Sequence, residues 1–119
     1  TLAHAANPGV TPIGLTNIML ASILLGLYVL HKQNIAWAVG IHFGWNFTQA
    51  IALGYNVSGN AIEGVGIKAM PIGENYLSGG GFGVEGSVFC TAVLVLLLLR
   101  LAYKYRLALP TPLKDEGDE

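Results

Sequence analysis

Val93-Leu94-Val95-Leu96-Leu97-Leu98-Leu99 is a run of seven aliphatic side chains with no polar residue between them. It is the clearest lipid-facing run in the chain, and it sits inside a longer apolar stretch. Val84 to Leu99 is sixteen residues with one charge, Glu85, at the edge. The stretch can continue through Arg100 to Tyr103 if the arginine snorkels to the membrane surface. Two further segments of the same kind precede it. Ile35 to Gly54 has twenty residues, with His42 as the one group that titrates near neutrality, and Thr11 to Leu30 has twenty residues and no charge. A spanning helix needs about 20 apolar residues. Three such segments in 119 residues leave no polar face to meet water. The expected fold class is therefore all-α: a polytopic membrane helical bundle, with three transmembrane helices near 11–31, 34–55 and 84–105 plus the end of a fourth.

The charge distribution agrees. Charged residues make up 11% of the chain, against roughly a quarter in soluble domains. Ahead of Arg100 stand only Lys32, Glu63, Lys68, Glu74 and Glu85. The net charge of −1, with no basic patch beyond Arg100, Lys104 and Arg106, gives no reason to expect a nucleic-acid partner. Cys90 is the one cysteine, so an internal disulfide and a cysteine metal knuckle are both excluded. The chain opens at Thr1 with neither methionine nor basic leader. That start suggests a C-terminal fragment, with the missing N-terminal part of the same protein as a partner.

His31-Lys32-Gln33-Asn34 reads as a tight helical hairpin turn, and Tyr55 to Gly83 as a long polar, glycine-rich connection. Residues 1–109 form one membrane unit on this reading, and 110–119 a disordered acidic tail. Lysine and arginine near span ends set orientation. Arg100, Lys104 and Arg106 place the C-terminus in the cytoplasm, with Lys32 on the same side and Lys68 dissenting from within a long loop.

The second span carries the chemistry. His42, Asn46 and Gln49 fall at i, i+4 and i+7, on one helical face. Ala36, Gly40, Gly44 and Thr48 recur every four residues on roughly the opposite side, a spacing that lets another helix approach closely. Imidazole and carboxamide are costly in hydrocarbon and normally face a bundle interior or wet cavity. They can serve as interhelical glue. One turn apart, they can also donate hydrogen bonds to one point, as a developing oxyanion requires. A second polar site opens the chain: His4 ends an alanine-rich helical remnant before the Asn7-Pro8-Gly9 stop. Alone, a histidine at a helix end is most often a dipole partner or cap.

His4-Ala-Ala-Asn-Pro-Gly, then a span, then Gly40-Ile-His42-Phe-Gly-Trp-Asn46-Phe-Thr-Gln49, resembles the CAAX prenyl protease and bacteriocin-processing (CPBP) family of intramembrane endopeptidases, the group that includes lysostaphin resistance protein A-like proteins. Asn56-Val-Ser-Gly59 and Leu77-Ser-Gly-Gly-Gly-Phe-Gly-Val-Glu-Gly86 look like a bacterial branch of it. The resemblance covers Thr1 to about Leu99. It matches His4 to the histidine of the family's Phe-x-x-x-His motif, and His42 and Asn46 to its His-x-x-x-Asn motif. The family's Glu-Glu-x-x-x-Arg motif is absent, and Glu63, Glu74 and Glu85 do not replace it.

The resemblance implies an enzyme without cofactor. A glutamate and His4 polarise a water for attack on a peptide carbonyl, and His42 with Asn46 holds the oxyanion. It implies a bacterial inner (plasma) membrane, partners in the lipid bilayer and in a peptide or prenylated-protein substrate, and a fragment inactive by itself.

Two alternatives stand beside it. One is a zinc-dependent membrane metallopeptidase using His4, His42 and an upstream carboxylate, although no His-Glu-x-x-His occurs. The other is a non-catalytic membrane scaffold or immunity protein. Gly81-Phe-Gly83-Val-Glu-Gly86 matches a dinucleotide fingerprint, but no strand precedes it and a span follows, so it reads as a flexible re-entry loop.

Overall fold

The computed structural model describes residues 1–62 and 66–105. The expected acidic tail at 110–119, together with Arg106 and Glu63, lies outside the described residues. Among those residues the chain is all-α with no β-strand. One isolated bridge joins Val57 to Asn60.

The chain opens with a 3-10 turn, Leu2–His4, and then the corner at Asn7-Pro8-Gly9. Helix α1 spans Pro12–Lys32. Its start follows from local chemistry. Thr11 is extended and its hydroxyl accepts the Gly14 N–H at 3.0 Å, while Pro12 occupies a first-turn position where no N–H is needed. Its end is equally local: Gln33 turns left-handed at φ 51°, and the Asn34 carboxamide oxygen accepts the Ala36 N–H at 2.8 Å. With 21 residues, α1 is long and apolar enough to cross a membrane, at about 1.5 Å rise per residue against a hydrocarbon core of about 30 Å.

Helix α2 spans Ala36–Phe47 and continues without a break into a five-residue π-helical segment, Thr48–Ala52. A short α3, Asn75–Ser78, precedes two 3-10 turns, Gly80–Phe82 and Val84–Gly86. Helix α4 spans Val88–Lys104, capped by the Ser87 hydroxyl, which accepts the Cys90 N–H at 3.2 Å.

Two expectations need correction. The second helix runs from Ala36, not residue 34, and ends at Ala52, not residue 55, with its last turn π rather than α. The third begins at Val88, not residue 84, because Gly83 at φ 95° and the Val84–Gly86 turn interrupt the backbone before Ser87 caps it. Among the described residues α1 is the one helix both long and apolar enough to cross a membrane by itself. The glycine-rich stretch is also packed. Phe82 is completely buried, and its ring lies so close to Gly14 that a Cβ there would sit 2.8 Å from it.

Asn17 bonds to the residues just before α4, and His31 stacks on Tyr105 at the other end with ring centroids 3.8 Å apart. Helices α1 and α4 therefore run side by side in the same direction. Their seam holds the apolar core, Leu24, Cys90, Leu94 and Leu101. The hairpin at Gln33 returns α2 antiparallel to α1. The outer faces stay apolar: Phe43, Val39, Phe89, Leu96 and Leu99 are all exposed. The small-residue ridge on α2 is not used for close packing among the described residues, since no atom approaches within 4 Å of a Cβ built at Gly40 or Gly44.

Candidate functional site

The antiparallel return of α2 brings its C-terminal half to the N-terminal ends of α1 and α4. There the three helices line a partly open cavity of about 210 Å³. His4 and His42 both line it, with Asn17, Trp45, Ser58 and Glu85; Ile18, Leu25, Leu94 and Leu97 are among the residues of its apolar wall. Larger hollows, of about 420 and 530 Å³, lie beside Thr11 and Glu74 and on the outer seam of α1 and α4. Neither holds a histidine.

His4 reaches this cavity from outside α1 because the corner behind it is clamped. The Asn7 side-chain N–H donates to the Ser58 carbonyl at 2.7 Å. Gly59, at φ 84°, lets the Pro8 carbonyl come so close that a Cβ there would collide with it. Asn7 thus bridges its corner to another loop. His4 Nδ1 is buried and has no hydrogen-bond partner among the described residues.

His42 lies on the cavity lining from α2 and is exposed. Asn46, one turn on, is half-buried and is not on the cavity lining; its Oδ1 is buried without a partner. Gln49 follows in the π-helical turn. It is 2% exposed, and both polar atoms of its side chain lack partners. A buried polar group left unpaired costs about 1–3 kcal/mol, and His4, Asn46 and Gln49 each present such an atom among the described residues. The structure thus brings His4 and His42 to one space and sets Asn46 beside it.

A second set of polar groups is fully engaged. Glu85 Oε1 accepts the Trp45 indole N–H at 2.9 Å, and Oε2 accepts both the Ser58 backbone N–H at 2.8 Å and the Ser58 hydroxyl at 2.5 Å. Asn17, 1% exposed, donates to the Glu85 and Ser87 carbonyls at 2.7 and 2.9 Å, and its Oδ1 accepts the Thr91 hydroxyl at 2.7 Å. A carboxylate in the cavity was not foreseen. Glu85 stands at the edge of an apolar run, and nothing in a separation of 27 residues pairs it with Ser58. Trp45 gave the better signal, lying between His42 and Asn46 on their helix. No three His, Cys, Asp or Glu side chains lie close enough to hold a metal ion among the described residues.

No family model matches the chain, and no curated protein or solved structure matches it either.

Proposed function

We propose that this chain carries the histidine-bearing half of the active site of an intramembrane endopeptidase of the CAAX-processing type. The observation that carries the reading is the shared cavity: His4 and His42, far apart in sequence, line one partly open space, His42 exposed on it and His4 with a buried Nδ1 that has no hydrogen-bond partner among the described residues.

His4 then acts with a glutamate to polarise water. His42 and the Asn46 carboxamide, one turn apart, donate to the oxyanion formed when that water attacks a peptide carbonyl. Glu85 is not the water-activating group. A carboxylate has about four lone-pair positions, and donors already occupy three. The activating glutamate belongs to a Glu-Glu-x-x-x-Arg motif on a segment outside this chain.

The setting is a membrane. Helices α1, α2 with its π extension, and α4 cross it together. The 17 residues of α4 lie at the short end of the spanning range of about 17–25. Large apolar side chains outside and buried amides inside reverse the soluble pattern. Arg100 and Lys104 put the end of α4 in the cytoplasm, and a bacterial inner membrane suits the resemblance. The substrate is a membrane-associated or prenylated peptide, seated with its apolar part against Leu25, Leu94 and Leu97.

The test is cleavage of a membrane-tethered peptide by the full-length protein. His42→Ala should lower kcat by roughly 100- to 1,000-fold, the cost of losing one oxyanion donor, with the protein still present at normal abundance. Cleavage that survives this substitution unchanged overturns the reading.

A further inference from the structure

The Glu85 carboxylate ties together three separate pieces of chain. Oε1 holds the indole of Trp45 on α2, and Oε2 holds both the N–H and the hydroxyl of Ser58 in the loop that clamps the His4 corner. Its own backbone is fixed from α1, where Asn17 donates to the Glu85 carbonyl at 2.7 Å. Trp45 lies one residue before Asn46 and three after His42, about 60° around the helix axis from His42. Whatever holds the indole N–H therefore limits how far α2 can roll.

Ser58 is itself under constraint. Its φ of 47° is left-handed, a region that non-glycine residues seldom adopt, and it forms the first of two left-handed positions in the turn from Val57 to Asn60. The carboxylate takes both donors that Ser58 presents in that conformation.

We propose that Glu85 is a positioning residue, whose carboxylate sets the roll of α2 through Trp45 and the seat of the His4 corner through Ser58, so that His42 and His4 face one cavity. The catalytic consequence rests on the peptidase reading; the positioning rests on the geometry alone. An ionised carboxylate suits the role because it is acceptor-only. A glutamine would turn two N–H groups toward either the indole N–H or the Ser58 pair, opposing donor to donor.

The experiment uses the full-length protein in lipid nanodiscs, with the Trp45 indole N–H and the His42 ring followed by magnetic resonance. The signal that Trp45→Phe removes is that of the Trp45 indole. Glu85→Gln is expected to move both the Trp45 and the His42 signals, and Trp45→Phe to move His42 in the same direction. In cleavage assays each variant should lose roughly 10- to 100-fold in kcat with KM within about twofold, the mark of misplaced rather than missing groups. The double variant should lose no more than the worse single one.

Unmoved Trp45 and His42 signals in Glu85→Gln overturn the proposal, as does a shift of both with kcat unchanged. A fall in kcat with both signals unmoved overturns it too, since Glu85 would then act directly. If the wild-type protein cleaves nothing while the signals still move together, the positioning stands and the peptidase reading falls. Should Glu85→Gln not accumulate, Trp45→Phe decides: an unmoved His42 signal overturns the proposal.

Discussion

Asn17 shows how much one side chain can hold in this molecule. Its carboxamide satisfies two carbonyls and accepts one hydroxyl, all from the chain around the start of α4. Replacing it by leucine removes every one of those bonds and leaves the Glu85 carbonyl without its donor, while the Ser87 carbonyl keeps the Thr91 N–H at 3.3 Å. The expected loss is about 2–3 kcal/mol of stability, measured by thermal or denaturant unfolding in detergent, with the Trp45 environment changing as Glu85 loosens. A loss below about 0.5 kcal/mol, the range of ordinary surface substitutions, would show that water replaces the carboxamide. His42 and Asn46 could be placed on one face from spacing alone. That His42, and not Asn46, would line the cavity could not, because spacing places residues on a helix but not the helix against its neighbours.

Between elements, the decisive contacts are backbone approaches that only glycine permits. Gly59 brings the Pro8 carbonyl against the loop that also receives Asn7, and so determines where the 3-10 turn with His4 comes to rest. Gly59→Ala adds a methyl group at a positive φ and against a backbone carbonyl that cannot rotate away. It should cost about 1–3 kcal/mol from the backbone conformation alone and displace His4 from the cavity. The check is unfolding together with the cleavage assay of the proposed peptidase; on that reading cleavage should fall even where the helices remain intact. The π-helical turn at Thr48–Ala52 is a second device of this kind. It begins at Thr48, and within it Gln49 is buried while its carbonyl accepts the Tyr55 N–H at 2.9 Å. No propensity at Thr-Gln-Ala-Ile-Ala marks it.

For the whole molecule, the contrast between a small apolar seam and a broad apolar exterior is the controlling fact. Lipid tails are as apolar as leucine, so in a bilayer close packing and internal hydrogen bonds hold helices together. The Asn17 and Glu85 networks supply such bonds. On the peptidase reading this 119-residue chain, purified alone in detergent or lipid, is expected to cleave no peptide, because Glu85, the carboxylate on its cavity among the described residues, is occupied by three donors. Specific cleavage by the isolated chain that His42→Ala abolishes would refute that.

Composition and periodicity were enough to establish that the chain is helical and where its three apolar segments lie. Those properties are local: they follow from side-chain polarity read at helical spacing, and from caps such as Thr11-Pro12 and Ser87. The meeting of His4 with His42, the clamp at Gly59, and the use of Glu85 as an anchor for Trp45 and Ser58 came only with the folded arrangement. They depend on the parallel alignment of α1 and α4 and the antiparallel return of α2, which join residues 27 to 70 positions apart. No pattern within a single segment encodes such contacts, because their partners are chosen by geometry and not by neighbouring sequence.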